Sequence, residues 1–222
     1  MRSALSRVRW WWDRRVVRRA ALSALIRRTG NFTGVKWLGR PVWQNLADIW
    51  TVQETLVERE VDMVVECGTN RGGSAFFMAS VLDLLGRGRV LTIDVVDQAG
   101  VDHPRIEFLI GSSTDPGVVA EVHRRVAEHS PGHVLVLLDS DHSEEHVLQE
   151  LRAYNDLVGV GDYIVVQDGV IDELRMLRAD RPGPLPAIER FLHEDPRFEV
   201  DEERSSRFLF NHSPRGWLRR TR

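Results

Sequence analysis

From residue 61 onwards, apolar runs of strand length alternate with segments of helical character. The run VDMVVEC at 61–67 is continuously apolar up to its acidic end, and similar runs stand at 89–96, 105–110, 133–140 and 162–168. Apolar strands that alternate with helices are typical of a parallel sheet covered on both faces. The runs at 89–96 and 105–110 are separated by only about ten residues, too few for a full crossover helix.

The pattern changes near the carboxyl terminus. A loop rich in proline and glycine at 181–186 leads to a predicted helix at 187–194, followed by FEVDEE at 198–203 and RFLFN at 207–211. We predict that these last two segments form a closing hairpin. The fold class is therefore α/β, a mostly parallel seven-stranded sheet with a terminal antiparallel hairpin, which favours the class I methyltransferase variant of the Rossmann-like architecture over the dehydrogenase variant.

Residues 1–29 contain no proline or glycine and nine arginines, and they predict a basic helix in front of a single domain at 30–222. Leu5, Val8, Trp12 and Val16 recur at helical spacing. Two interpretations stay open: the helix packs on the core or on a second subunit, or it lies on a membrane surface. Because an isolated domain would expose this helix, we expect a homo-oligomer. No apolar run is long enough for a signal or a transmembrane segment.

Composition and charge limit the classes of function that this chain can have. A chain of 222 residues with 42% hydrophobic content supports one core, and its single cysteine, Cys67, gives no disulfide framework. A reducing cytoplasm is therefore expected. Of the 30 basic residues, 15 lie in 1–29 and 204–222, which hold one of the 33 acidic residues. The segment between them is strongly acidic, which argues against a nucleic-acid substrate and favours a small or sugar-like one.

A glycine-containing turn follows the first predicted strand. It reads ECGTNRGGS at 66–74, with a spacing that differs from the dinucleotide motif GxGxxG. The carboxylate of Glu66 would repel a pyrophosphate but could accept a hydrogen bond from the amino group of a methionine moiety. An ordinary strand-to-helix turn is the alternative. The candidate cofactor residues in this turn are Glu66, Gly68, Thr69, Asn70, Gly73 and Ser74.

Two further strand ends carry polar residues suited to a nucleoside. Asp94 ends the second strand, where a carboxylate can accept hydrogen bonds from both hydroxyls of a ribose. Gly111, Ser112 and Ser113 follow the third strand, where small polar residues can edge an adenine ring. Since all these positions lie at the carboxyl ends of strands, they predict one binding site for S-adenosylmethionine.

Carboxylates also end the fourth and fifth strands. Asp139 and Asp168 are predicted to converge above the sheet, where oxygen ligands suit Mg²⁺. Capping of the following helix is the alternative for Asp139. His142 and His146 are four residues apart but have no third ligand in a zinc pattern, so we interpret His146 as a helix-surface or capping residue.

The chain resembles the cephalosporin hydroxylase and rhamnosyl O-methyltransferase family. The resemblance is carried by WLGRPVWQNLADIWTVQETL, VVECGTNRGGS, LDSDHSEEHVLQEL, YIVVQDGVI, GPLPAIERFLHEDPRFEVD and FLFNHSPRGWLRR. It implies a class I fold that binds S-adenosylmethionine, a divalent metal, and methylation of sugar hydroxyls on glycolipids or natural products. It also implies metal ligands at Asp139, Gln167 and Asp168, although family members commonly have glutamate where this chain has Gln167.

Methyl transfer to a hydroxyl needs a group that takes its proton. The single lysine, Lys36, lies outside the core strands, so we assign His142 as the base beside Asp139; a structural histidine bonded to a carboxylate is the alternative. A nicotinamide oxidoreductase is disfavoured by the spacing of the turn, and a methyltransferase acting on RNA or protein by the acidic core. A catalytically idle cofactor-binding subunit stays open because of Gln167.

Overall fold

The computed structural model describes residues 16–28, 30, 32–97 and 100–222. Its helices are α1 Arg18–Arg28, α2 Leu46–Glu58, α3 Gly73–Leu85, α4 Pro116–His129, α5 Glu144–Tyr154, α6 Val170–Glu173, α7 Pro184–Glu194 and α8 Glu202–Ser206. Its strands are β1 Lys36–Trp37, β2 Arg40–Pro41, β3 Met63–Cys67, β4 Arg89–Asp94, β5 Ile106–Ile110, β6 Val134–Leu138, β7 Tyr163–Val166, β8 Phe198–Val200 and β9 Trp217–Arg220. Short 3₁₀ helices lie at Asn155–Leu157 and Arg175–Asp180.

Seven strands form one sheet in the order β5-β4-β3-β6-β7-β9-β8. The pairs from β5 to β7 are parallel, whereas β9 is antiparallel to both of its neighbours. Between β4 and β5 the described residues contain no helix, as the short connection indicated. The predicted fold class is therefore confirmed.

The predicted partner in the closing hairpin is wrong. The segment 207–211 forms no strand, and the strand that pairs with β8 is β9, which begins only at Trp217. The physical reason is burial on both faces of the sheet: Trp217 packs into one core cluster and Leu218 into the other. Phe210, in contrast, is exposed.

Alternate residues of the central strands pack on opposite faces of the sheet. One face is covered by α4, α5 and α7, through residues such as Val126, Leu151 and Phe191. The other face is covered by α2 and α3, through residues such as Leu56 and Met78. Because helices cover both faces, the carboxyl ends of the parallel strands remain as the place where a ligand can approach the sheet.

The N-terminal helix α1 packs on its own chain. Leu22 is fully buried and forms a small cluster with Val170 and Leu174. A guanidinium nitrogen of Arg18 donates to the backbone oxygen of Asn211 at 2.9 Å, and Arg18 also forms an ion pair with Glu173. These contacts place the first two turns of α1 beside α6, the short helix that follows β7.

The rest of the predicted basic helix lies largely outside the described residues. Leu5, Val8 and Trp12 belong to that part, and Val16 is exposed. Among the residues that the structure describes, no helix is both long and apolar enough to cross a membrane. Contact with a membrane surface and the homo-oligomer stay predictions.

Candidate active site

A cavity of about 760 Å³ lies at the carboxyl ends of the parallel strands. Its walls come from the loops after β3, β4, β5, β6 and β7 and from the segment 41–43. Most of the predicted site residues line it together: Gly68, Thr69, Asn70, Gly73, Ser74, Asp94, Ser112, Ser113, Asp139, His142 and Asp168. Glu66, Gly111 and Gln167 do not line it.

The glycines of the turn after β3 are required by the close approach of neighbouring backbone. Gly68 has φ of +99°, and a Cβ there would overlap the carbonyl group of Asp139. A Cβ at Gly73 would overlap the carbonyl oxygen of Pro41. The turn is thus fixed by chain segments packed against it, and glycine is the residue that allows this geometry.

Glu66 is fully buried behind this turn. Its Oε2 accepts a hydrogen bond from Oγ1 of Thr92 at 2.6 Å, and Oγ1 of Thr92 lies 2.7 Å from Oγ1 of Thr69. Burial raises the pKa of Glu66 to about 7, against the opposing effect of Ser74 and Thr92. Within the described residues, Oε1 of Glu66 has no hydrogen-bond partner.

Asp94 lines the cavity with spare acceptor capacity. Its Oδ2 accepts from the backbone N–H of Asn70 at 2.7 Å and its Oδ1 from that of Val96 at 3.1 Å. A carboxylate offers about four lone-pair sites, so about two remain for a diol. Gly111 lies outside the cavity lining; its φ is +149° and a Cβ there would press on Val118 of α4.

The carboxylates after β6 and β7 meet at one wall of the cavity. Ligand atoms of Asp139, His142 and Asp168 all lie within 4.8 Å of one another. Nε2 of His142 is 3.2 Å from Oδ2 of Asp168 and 4.0 Å from Oδ1 of Asp139. Asp168 has φ of +53°, a backbone conformation that is uncommon for a residue other than glycine. The predicted convergence is confirmed, and Asp139 does not cap α5, whose N-cap is Ser143.

The two carboxylates differ in their affinity for a proton. Burial, followed by the negative charge of Asp168, raises the pKa of Asp139 well above its ordinary value. Burial also acts to raise the pKa of Asp168, but contact with His212 and the charge of His142 outweigh it, so this pKa is lowered. Asp139 therefore holds the proton of the pair more tightly, and Asp168 carries the negative charge.

Two side-chain amides hold Asp139. Nε2 of Gln44 donates to Oδ2 of Asp139 at 2.7 Å. With its amide nitrogen turned towards the carboxylate, Gln167 donates to Oδ1 at 3.1 Å. Gln167 is buried behind Asp139 and adds no negative charge, so Asp139 and Asp168 supply the anionic oxygens of this wall.

Asp48 and His212 belong to the site and were not predicted as site residues. Oδ2 of Asp48 accepts from the backbone N–H of His212 at 2.6 Å, and Nδ1 of His212 lies 3.6 Å from Oδ1 of Asp168. Burial raises the pKa of Asp48 to about 6. The signal was present in the sequence, because Gln44 and Asp48 lie in 37–56 and His212 in 208–220, two of the segments that carry the family resemblance.

The interpretation of His146 as a helix-surface or capping residue is wrong. His146 is half-buried, lines the cavity, and places Nε2 at 3.2 Å from Oγ of Ser113 and 3.4 Å from Oε1 of Glu150. The contact with Glu150 raises the pKa of His146. The first turn of α5 turns this side chain inward because Val147, Leu148 and Glu150 around it are buried in the core.

A second cavity, of about 540 Å³, adjoins this wall. Both cavities share Phe32, His142 and Asp168. The walls of the second are mainly apolar and include Ile26 of α1 and Leu177. A molecule bound there would present one end to the carboxylates after β6 and β7 and place the rest among apolar side chains.

A sheet of this strand order, with a polar cavity at the carboxyl ends of its parallel strands, defines the class I methyltransferase architecture. The profile of the family described as rhamnosyl O-methyltransferase/CmcI matches residues 30–221. This chain belongs to that family. The predicted family is thus confirmed, and with it the class of enzyme, an O-methyltransferase.

Curated relatives and solved structures agree with this assignment. The chain is 36% identical over 193 residues to a rhamnosyl O-methyltransferase of Mycobacterium tuberculosis (strain ATCC 25618 / H37Rv), covering 84% of this chain and 78% of that protein. It is 35% identical over 197 residues to a rhamnosyl O-methyltransferase of Mycobacterium leprae (strain TN), covering 85% of each. A CmcI structure with Mg-SAM shares the fold with a TM-score of 0.66, at 18% identity, over 86% of this chain and 78% of that one.

Proposed function

We propose that this protein transfers a methyl group from S-adenosylmethionine to a hydroxyl of a sugar, a rhamnose-like deoxysugar carried on a glycolipid or natural product, with the assistance of Mg²⁺. One observation carries the proposal: the cluster of Asp139, His142 and Asp168 lies on a wall of the same cavity that contains Asp94. The two mycobacterial relatives, named as rhamnosyl O-methyltransferases, support the choice of acceptor.

The cavity fits S-adenosylmethionine in the chemistry of its acceptors. Asp94 keeps about two lone-pair sites for the ribose hydroxyls. The unpartnered Oε1 of Glu66 suits a donor such as the methionine ammonium. When bound, S-adenosylmethionine supplies an electrophilic methyl carbon on a sulfonium sulfur, and the carbon–sulfur bond breaks as the acceptor oxygen forms its bond to that carbon.

The donor set also fits a hard divalent cation. Asp139 and Asp168 offer carboxylate oxygens on adjacent strands, and Gln167 can offer an amide oxygen if its side chain turns. When bound there, Mg²⁺ supplies positive charge that orients acceptor hydroxyls and lowers their pKa. Since the pKa of Asp139 is raised, this residue must release a proton to bind the cation, and affinity should therefore rise with pH.

His142 is the residue that takes the proton. Its Nε2 faces Oδ2 of Asp168 at 3.2 Å, so Nδ1 is the ring nitrogen left to accept the proton of the acceptor hydroxyl. The charge of Asp168 stabilises the imidazolium that results. An acceptor bound in the apolar cavity would lie next to this histidine, with its hydroxyl towards the cofactor, because His142 lines both cavities.

The test is methyl transfer from labelled S-adenosylmethionine to a panel of rhamnosides with apolar aglycones, each assayed with and without a chelator of divalent cations. We expect labelled product from rhamnosides, and loss of turnover with chelator. Product from other hydroxyl compounds and none from any sugar would contradict the proposed acceptor. Full activity in chelator, with no metal in the purified protein, would contradict the role of Mg²⁺.

A second candidate is a catalytically idle subunit that binds the cofactor. The observation in its favour is Gln167, whose amide nitrogen can donate to Asp139 and thereby occupy an oxygen that the cation needs. Cofactor binding by calorimetry, together with absence of turnover on the rhamnoside panel and of Mg²⁺ binding, would favour this candidate over the enzyme.

A further inference from the structure

A buried carboxylate lies behind one corner of the cavity. Glu150 of α5 is fully buried, and its Oε1 accepts a hydrogen bond from Oγ of Ser113 at 2.5 Å and another from Oγ of Ser140 at 2.6 Å. Nε2 of His146 lies 3.4 Å from the same oxygen. Ser113, Ser140 and His146 all line the cavity, whereas Glu150 does not. We refer to these four residues as the Glu150 corner.

The Glu150 corner has a fixed hydrogen-bond polarity. A serine hydroxyl has one proton to donate and two lone pairs to accept with. Ser113 and Ser140 both donate their proton to Glu150. Towards the cavity, these two hydroxyls therefore present lone pairs and no donor. Nε2 of His146 lies 3.2 Å from Oγ of Ser113 and occupies one of its lone pairs. One lone pair of Ser113 and both lone pairs of Ser140 therefore remain to accept hydrogen bonds from a ligand.

This polarity is costly to reverse. A hydroxyl that turned its proton into the cavity would take one donor away from the buried carboxylate, and loss of a hydrogen bond to a buried charge is unfavourable. Oε2 of Glu150 already has no hydrogen-bond partner among the described residues, so the carboxylate depends on the donors at Oε1. The charge of Glu150 also acts on its other neighbour: after burial, it is the largest cause that raises the pKa of the Cys67 thiol well above its ordinary value.

The position of the corner relates it to the cofactor. In the proposed function, Asp94 binds the ribose, Glu66 the methionine ammonium, and Asp139 with Asp168 the reacting end. Ser113 follows β5, whose end pairs with Asp94 on β4, so the corner is a polar part of the cavity wall on the side of the proposed ribose site, and the nucleobase is the part of the cofactor next to the ribose.

We propose that Glu150 is a positioning residue for nucleobase specificity: by taking the protons of Ser113 and Ser140, it makes these two hydroxyls acceptors that select the exocyclic amino group of adenine. An adenine 6-amino group donates to the serine lone pairs. The 6-oxo group of hypoxanthine would face the same lone pairs and find no donor from either serine. This inference rests on the proposed binding of S-adenosylmethionine and adds a residue that determines which nucleobase is bound.

The experiment compares two ligands, S-adenosylhomocysteine and S-inosylhomocysteine, which differ in the 6-substituent of the purine and in the proton at the adjacent N1, by calorimetry with the full chain. For the wild type we expect S-adenosylhomocysteine to bind about tenfold more tightly or better, the size of one or two buried hydrogen bonds. In Glu150→Gln, the amide can itself donate to the serine oxygens and free their protons. The affinity ratio of the two ligands should then fall to about one or reverse.

The matched control is Glu145→Gln, an exposed glutamate on the same helix, which should keep the wild-type ratio. If Glu150→Gln does not fold, as judged by circular dichroism, Ser140→Ala decides: loss of one acceptor should weaken S-adenosylhomocysteine more than S-inosylhomocysteine. A ratio that stays at the wild-type value in these variants overturns the inference and leaves the proposed function intact. If the wild type binds neither ligand, the proposed function fails as well.

Discussion

Nε2 of His142 lies 3.2 Å from Oδ2 of Asp168, the carboxylate that carries the negative charge of the acidic pair. One carboxylate thus has two partners, because His212 approaches its other oxygen, Oδ1, at 3.6 Å. In the proposed function, His142 is the base and Asp168 the carboxylate that orients it, in a chain whose only lysine is Lys36.

The roles of His142 and of the carboxylates can be separated by substitution. We expect His142→Ala to keep Mg²⁺ binding while turnover falls by roughly 10²–10⁴-fold, the range for loss of general acid–base catalysis. Asp139→Asn and Asp168→Asn should behave alike, losing both metal binding and turnover while cofactor affinity changes little. Titration with Mg²⁺ and initial rates test this. A fully active His142→Ala enzyme would leave metal activation alone to account for deprotonation.

Gln167→Glu should strengthen metal binding and lower the stability of the metal-free protein. The new carboxylate would lie next to Asp139, whose pKa is already raised, so like-charge repulsion should lower the melting temperature in chelator. With Mg²⁺, the added anionic ligand should tighten binding by roughly tenfold. Thermal melts across a Mg²⁺ titration measure both effects. Gln149→Glu, at an exposed position of α5, is the control; equal shifts in the two variants would contradict the assignment.

Asp94→Ala should weaken cofactor binding by about 1–3 kcal/mol, the cost of losing a buried hydrogen-bond partner. Because Asp94 also accepts from the backbone of Asn70 and Val96, some of the loss should come from the turn itself. Asp94→Asn keeps one acceptor oxygen and should lose less affinity. Calorimetry with S-adenosylhomocysteine makes the comparison, and unchanged binding in Asp94→Ala would remove Asp94 from the cofactor site.

The stability of the protein should fall with rising pH because of Glu66. Its pKa is about 7 in the folded protein against 4.5 for an ordinary glutamate, so the folded state holds the proton more tightly. The stabilisation is therefore complete below about pH 4.5 and is lost as the pH rises through about 7. Relative to that of the wild type, the free energy of unfolding of Glu66→Gln should rise by on the order of 3 kcal/mol between about pH 5 and about pH 8. Urea unfolding at both pH values checks this, and a difference independent of pH would refute it.

The oligomer can be tested without disturbing α1. We expect the wild type to exceed the mass of a monomer in light scattering, because the segment 1–15 holds a cluster of three tryptophans among arginines. Deletion of 1–15 should reduce the mass while leaving Arg18 and Leu22 in their contacts with Asn211 and Val170. A monomeric wild type at the same concentration would rule out the homo-oligomer.

The sequence by itself determined most of the fold. Short apolar runs that alternate with helical segments are typical of central parallel strands, and the short connection before Ile106 left no room for a helix, so the parallel part of the sheet followed from the pattern. The last strand did not follow: 207–211 and 217–220 are both apolar enough. Burial of Trp217 and Leu218 on opposite faces of the finished sheet decides between them.

At the site, the sequence determined the residues at strand ends, since parallel strands present these ends along one edge. It could not supply what reaches that edge from elsewhere. Gln44 lies just before α2, Asp48 lies on α2 and His212 lies in a terminal loop. Gln44 reaches Asp139, His212 reaches Asp168 and Asp48 holds His212 only once those elements pack. The direction of a side chain such as His146, and the proton that Ser140 donates to Glu150, are likewise decided by tertiary structure, because burial removes the water that would otherwise satisfy these groups.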